Sequence, residues 1–302
     1  MSKISGWVPC REPTALVDQC LHWNKGRFYE ILWEYTLTPA TLRERNARGW
    51  LYYENNHPAG FALGRWHELR RWWHFEELWG PCEGSSELPS RIGKQDRWRA
   101  QQFHRLLRQL RPRSLIRAAV DNPFGNIIAR EVGAQWCGGY LLATRRLSRK
   151  LTVRVPAGFK LRRFRKGDEK DMSRIHHAAF HIPHPPREYL EWATKSNCRT
   201  TLAVLQGEPV GFLTAEKRHD RSYGDFNIAV EPKFHRRGLG SALMERGLND
   251  LIEMGCETAV ADYWLQNAKV QALNRKYGFR IVRAYNHYET RATRQPSDIR
   301  DC

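Results

Sequence analysis

The sequence predicts an α/β (α+β) protein of two domains, divided as residues 1–152 and 153–302. Three observations carry this. The chain has 302 residues, about twice the usual domain length. Its second half contains a strand that ends in a basic, glycine-punctuated turn and opens directly into a helix. Its first half repeats several landmarks of the second in the same order.

The strand–turn–helix junction comes first because it carries the most chemistry. Tyr223–Val230 reads as a strand, and Pro232 stops it because proline cannot donate to a ladder. After His235-Arg236-Arg237-Gly238-Leu239-Gly240-Ser241, apolar residues fall at Leu239, Leu243, Leu248, Leu251 and Ile252, which is helical spacing. Gly255 follows, where helices commonly stop in a left-handed residue. The first N–H groups of such a helix have no internal partner, and its dipole points its positive end at the same place. With glycines letting a phosphate reach the backbone and Arg236 and Arg237 adding charge, the junction is built to hold a diphosphate. The spacing is neither a Walker loop nor the G-x-G-x-x-G of dinucleotide folds.

Downstream, Asn267 to Phe279 reads as a helix capped by Asn267, with Val270, Leu273 and Tyr277 as its apolar stripe and Gly278 beyond its end. Upstream, Gly207-Glu208-Pro209-Val210-Gly211-Phe212-Leu213 reads as a turn and a strand, and Leu161–Asp168 as a first strand and helix start.

Together these segments resemble the GNAT (Gcn5-related N-acetyltransferase) family. The junction resembles its motif A, Gln/Arg-x-x-Gly-x-Gly/Ala, except that His235 stands first. The Asn267–Phe279 helix resembles its motif B, Asn-x-x-Ala-x-x-Leu-Tyr-x-x-x-Gly-Phe, except that Asn274 stands where the tyrosine follows the leucine. The resemblance covers residues 155 to 290. In the first half, Asn56–Leu63 lines up with Gly207–Leu213, and Asn122 precedes Gly133 by the interval that separates Asn267 from Gly278. The expected architecture is therefore two tandem GNAT-like domains, each a mixed, mostly antiparallel sheet flanked by helices. In place of motif A the first half has Ser90-Arg91-Ile92-Gly93-Lys94-Gln95-Asp96, with a lone glycine and an acidic residue. It is expected to be a degenerate copy without an acyl-CoA site; an unrelated α/β domain is the alternative.

The resemblance implies acetyl-CoA as acyl donor and a primary amine as acceptor, joined by direct attack in a ternary complex. It implies backbone contacts to the pantetheine arm from Ile228, Ala229 and Val230. It also implies a diphosphate cradle at His235, Arg236, Arg237, Gly238, Leu239, Gly240 and Ser241, with Asn267 completing the cofactor contacts. Candidates for the general base are Asp225 first, then Glu216 and Asp262. Asn274 is the catalytic candidate at the acid position: an amide can hydrogen-bond the CoA sulfur but gives up no proton. A thiol pKa of roughly 8.5 makes the thiolate a tolerable leaving group without an acid. Tyr263 and Tyr277 are the possible stand-ins.

Composition bounds the rest. No apolar run approaches the roughly 18 residues of a membrane span. Met1-Ser2-Lys3-Ile4 opens no secretory apolar region, and the expected compartment is cytoplasmic. The seven cysteines are scattered without a Cys-x-x-Cys pair, which argues against a zinc or disulfide framework. His176, His177, His181 and His184 have no acidic or thiol companion, so no metal is expected and the segment reads as acceptor entrance or as plain polar loop. A net charge of +18 suits acidic ligands, CoA included, or a nucleic-acid backbone. The Trp- and Arg-rich runs Arg65–Trp73 and Arg105–Arg113 keep RNA or tRNA contact open against a solvated helix face. The leading acceptor is a small-molecule amine, followed by protein amines and by aminoacyl-tRNA. The non-enzymatic alternative is an acyl-CoA-binding regulatory module.

Overall fold

The computed structural model describes residues 6–10, 47–67, 72–79, 93–110, 114–120, 123–181, 184–218 and 222–290. In chain order the elements begin with β1 (Gly6–Cys10), β2 (Ala47–Glu54), β3 (His57–His67), β4 (Trp72–Trp79), α1 (Lys94–Leu110) and β5 (Ser114–Ala119). There follow α2 (Pro123–Glu131), β6 (Gln135–Arg146), β7 (Phe159–Arg163), α3 (Glu169–Phe180), α4 (Pro186–Ala193), β8 (Cys198–Leu205) and β9 (Glu208–Lys217). The last are β10 (Tyr223–Val230), α5 (Leu239–Glu253), β11 (Thr258–Trp264), α6 (Ala268–Lys276) and β12 (Arg280–Thr290).

The chain forms two compact units. One comprises Met1–Leu141, Trp264–Gln266 and Val282–Cys302; the other comprises Leu142–Tyr263 and Asn267–Ile281. The C-terminal strand, grouped with residues 153–302 on sequence, is thus built into the first unit, where β12 pairs antiparallel with β5 from Tyr285↔Ala119 to Thr290↔Ser114.

In the first unit the strands run β1-β2-β3-β4-β5-β12. Its core gathers Trp50, Trp73, Phe75, Phe103 and Ile128 around helices α1 and α2. Trp73, read from sequence as a stacking surface, is buried there, edge-on to Trp50 with ring centroids 5.5 Å apart. Arg105 and Arg108 lie on the exposed face of α1, the ordinary solvated face of an amphipathic helix. Residues 68–71 and 111–113 of the two basic runs lie outside the described residues.

In the second unit the order is β11-β10-β9-β8-β7, and α3 and α4 cover the apolar patch made by Leu202, Phe212 and Ala229. Helix α5 lies against the opposite sheet face, so close that a Cβ on Gly224 would stand 2.5 Å from Leu251 Cδ2. Buried polar residues of α5 also strap down the incoming chain. Asn249 accepts from the Leu151 N–H at 2.7 Å, and Glu245 accepts from the Arg154 N–H at 2.8 Å. That strap delivers Pro156 to the start of α5.

The internal repeat is visible residue by residue. Hairpin β2–β3 turns through Asn55 and Asn56 at φ 52° and 70°, and hairpin β8–β9 through Gln206 and Gly207 at φ 51° and 94°. Both are the doubly positive-φ turns that match strand twist. After each turn the pairing runs through a proline, Tyr53↔Pro58 and Val204↔Pro209, then bulges before Gly60 and Gly211. Each unit continues with an antiparallel strand, a helix and a parallel return: β4 with β5, and β10 with β11. One difference separates the copies at the decisive place. The Lys94-Gln95-Asp96 stretch, which stands in place of motif A, is the first turn of α1, while Ser90–Ile92 lie outside the described residues.

Candidate functional site

The site forms where β10 ends and α5 begins. The parallel pairing of β10 with β11 extends over Tyr223↔Thr258 and Gly224↔Ala259, while β10 stays paired with β9 as far as Val230↔Gly211. From Asp225 onward, then, β10 offers its second backbone edge, including Ile228, Ala229 and Val230, to whatever enters beside it. A pantetheine arm, with its alternating amides, is an extended chain of the right kind to pair there.

Beyond Val230 the chain makes a single 3-10 turn, Pro232–Phe234, then reaches Gly238 as the residue before α5. Gly238 adopts φ 84°, and Arg236 is also left-handed at φ 61°. Successive N–H groups in such a mixed-handed turn converge on one concavity, a nest for an anion. Arg236, Arg237 and Gly238 are exposed, Gly240 and Ser241 are half-buried, and Leu239 is buried as the anchor of α5.

Around the cradle the cations are individually held. Arg237 lies over the Phe234 ring at 5.5 Å, and Lys233 pairs with Glu231 at 3.0 Å. His235 bridges two elements: its Nε2 meets the Val230 carbonyl at 2.9 Å and its Nδ1 meets the Lys269 ammonium at 3.1 Å.

Helix α6 packs beside the first turn of α5. The Asn267 side chain accepts from the Val270 N–H at 3.2 Å, capping α6. The apolar stripe expected on this helix is not what it buries: Val270, Leu273 and Tyr277 are half-exposed, and Asn274 is its buried residue at 1% exposure. The Asn274 amide meets no partner in close hydrogen-bonding geometry among the described residues. Beside it stands the Tyr263 phenol, which burial raises and its interaction with that amide pulls the other way. The Tyr277 hydroxyl donates to Glu245 at 2.7 Å, and burial pushes it up to about 12. It is thereby committed to joining α6 to α5, which weakens it as a proton donor to a thiolate.

Across β10, Asp225 and Asn227 share the face covered by α3 and α4. Arg218 clamps one oxygen of Asp225, with its Nε at 3.0 Å. Burial pushes the Asp225 carboxyl up to about 6 against that pull, with Asp262 and Glu216 adding to the rise. Glu216 accepts from the Trp192 indole at 3.0 Å, and Asp262 is exposed on β11. The oxygen of Asn227 is buried without a partner. His176 and His184 stack edge to face at 4.8 Å against Tyr189, whereas His177 is exposed and His181 forms the left-handed end of α3. Among the described residues no three His, Cys, Asp or Glu side chains converge as a metal site. Burial pushes the Cys198 thiol up to about 12 and that of Cys256 to about 11, so neither is primed as a nucleophile. No described helix is long and apolar enough to cross a membrane.

The model of the Acetyltransferase (GNAT) family matches residues 169–279, the segment that carries both motifs. The L-amino acid N-acetyltransferase AaaT of Escherichia coli is 30% identical over 126 residues, covering 36% of this chain and 72% of that protein. The chain belongs to the GNAT family. The mycothiol acetyltransferase of Propionibacterium freudenreichii is 26% identical over 146 residues, 42% of this chain and 45% of that protein. The chain thus matches less than half the length of that relative. Among solved structures, a GCN5-related N-acetyltransferase from Sphaerobacter thermophilus superimposes with a TM-score of 0.69 at 13% identity, covering 99% of each chain. A tandem GNAT protein from the clavulanic acid biosynthesis pathway gives 0.64 at 15% identity, covering 96% of this chain and 99% of that one. At such identities the likeness shows the fold, and the fold is the tandem GNAT arrangement.

What sequence reasoning missed at this GNAT site is Lys269, Arg218 and Asn227. Lys269 stands at an unspecified position within motif B, and Arg218 and Asn227 lie ahead of motif A; only the strand register and helix packing bring them to the site.

Proposed function

We propose that this GNAT protein transfers an acetyl group from acetyl-CoA to a primary amine of a small molecule, using a single acyl-CoA site at the β10–α5 junction. The observation that carries the reading is the opened edge of β10 leading into the left-handed Gly238 turn. One end suits an extended pantetheine and the other a diphosphate.

In this reading the acceptor nitrogen attacks the thioester carbonyl carbon. The C–N bond forms, the C–S bond breaks and CoA leaves as thiolate. Asp225, with its carboxyl raised to about 6, is ionised at neutral pH yet basic enough to take the ammonium proton. Backbone N–H groups of β10 polarise the carbonyl. Asn274, buried beside the Tyr263 phenol, supplies a hydrogen bond to the departing sulfur and no proton. The first unit holds no acyl-CoA of its own in this reading. Its equivalent helix start is occupied by its own ion pair, with Arg99 donating to Asp96 at 2.8 Å and to Glu54 at 2.6 Å.

A small-molecule acceptor is favoured because the relatives named for free L-amino acids and for mycothiol match longer stretches. The ribosomal-protein bS18-alanine N-acetyltransferase of Escherichia coli matches over 76 residues. Release of CoA thiol should be followed with acetyl-CoA and a panel of free amino acids, aminothiols, polyamines and a peptide with an N-terminal alanine. Turnover with a small amine is expected. Turnover with the peptide alone would move the acceptor to protein, and binding without turnover would favour a regulatory acyl-CoA module.

A further inference from the structure

Two lysines of α6 reach back to the start of α5. Lys269 and Lys276 are seven residues apart, two helical turns, and so share a face. The Lys269 ammonium meets His235 Nδ1 at 3.1 Å, at the entry to the cradle, and the Lys276 ammonium donates to Ser241 Oγ at 2.8 Å, in the first turn of α5. Both lysines are exposed, and each spends one of its three N–H donors on a neutral partner.

Their surroundings fix their role. An ammonium only donates, so His235 Nδ1 accepts and the ring proton sits on Nε2, where it donates to the Val230 carbonyl at 2.9 Å. His235 therefore joins the end of β10 to the first turn of α6 as a neutral imidazole and holds Lys269 at the cradle's edge. Of the neighbouring cations, Lys233 pairs with Glu231 and Arg237 lies over the Phe234 ring, as Lys276 lies over the Tyr277 ring at 5.2 Å. No carboxylate is paired with Lys269 or Lys276 among the described residues. Exchanging a neutral hydroxyl or imidazole for a phosphate oxygen replaces an ordinary hydrogen bond with a charge-assisted one.

We infer that Lys269 and Lys276 form a two-point clamp on the diphosphate of acyl-CoA, with His235 as the residue that positions Lys269. This rests on the acyl-CoA site proposed above. It also explains what histidine does at the first position of the motif: it accepts from a lysine, which an arginine there cannot do. Glutamine can reproduce both bonds, its carbonyl accepting from Lys269 and its NH₂ donating to Val230.

The test is calorimetric titration of the full chain with CoA and with 3′-dephospho-CoA. Lys269→Ala and Lys276→Ala should each weaken CoA binding about fivefold, and the double variant roughly twenty-five-fold, as expected for separate exposed charge contacts. His235→Ala should match Lys269→Ala, add little to it when combined, and recover to within about twofold as His235→Gln. The losses should persist with 3′-dephospho-CoA, because the clamp holds the diphosphate. Thermal midpoints should not move, since both lysines are on the surface. A double variant that binds as tightly as wild type overturns the clamp, and so does a loss that disappears with 3′-dephospho-CoA. Wild-type protein that binds no CoA overturns the site itself, a separate failure.

Discussion

Replacing Gly238 and Gly240 by alanine, one at a time, should move the protein in opposite directions. Gly238 sits at φ 84°, and its new Cβ would stand 3.2 Å from Pro156 Cγ. A left-handed conformation costs a non-glycine residue about 1–2 kcal/mol, and the proline, strapped to α5 through Leu151 and Arg154, has little room to retreat. At about 2–4 °C per kcal/mol for a domain of this size, the melting midpoint should fall by about 2–8 °C. Gly240 is helical, and its Cβ would find only Leu273 Cδ2 at 3.8 Å, an ordinary contact. Alanine there gains about 0.5–1 kcal/mol of helix preference and should raise the midpoint slightly. Relieving strain at position 238 would also rotate the amides of the nest, so acetyl-CoA affinity should drop about tenfold for each 1.4 kcal/mol lost. In Gly240→Ala it should stay within about threefold, consistent with the alanine that the motif admits at that place. Thermal unfolding and calorimetric titration of both variants decide the matter. A Gly238→Ala protein that melts with wild type and binds acetyl-CoA equally well would refute the nest.

Asp225→Asn should abolish the acid limb of kcat/KM, which in wild type rises through about pH 6 as the carboxyl ionises; a limb that survives the substitution assigns the base elsewhere. The same raised carboxyl implies that its stability contribution falls as pH rises from about 4 to about 6, because the folded state holds that proton and the unfolded state releases it. The pH dependence of thermal unfolding should flatten over that window in Asp225→Asn. Asn274→Ala should lower kcat severalfold with acetyl-CoA affinity little changed, and Asn274→Tyr should fail to restore it; equal kinetics in all three would remove Asn274 from the mechanism. Arg99→Met removes the ion pairs that Arg99 makes with Asp96 and Glu54 inside the first unit and should lower the melting midpoint. Unchanged melting would mean the ion pair does not hold the first unit together.

Much of this was legible in the chain itself. Motif A could be read because a diphosphate turn needs glycine where φ is positive and basic residues beside it, and those constraints act on neighbours in sequence. The repeat was legible for the same reason: Pro58 and Pro209, Gly60 and Gly211 mark a turn and a bulge that local chemistry demands. The register of β10 was not legible, nor was the place where β11 parts from it, because pairing is decided by strands far apart in sequence. Asn274 was expected to matter for its position in a motif, yet its burial beneath a half-exposed apolar stripe depends on how α6 leans on α5. The start of α1 at Lys94 was not legible either, since it depends on Asp96 in its first turn pairing with Arg99 inside the core.

The central claim is a single acyl-CoA site in a chain with two GNAT-like halves. Calorimetric titration of the full chain with acetyl-CoA, repeated on Gly238→Asp, tests it most directly. The account predicts one molecule bound per chain, and no binding once a carboxylate occupies the nest. Two molecules per chain, or binding undiminished in the variant, would contradict it.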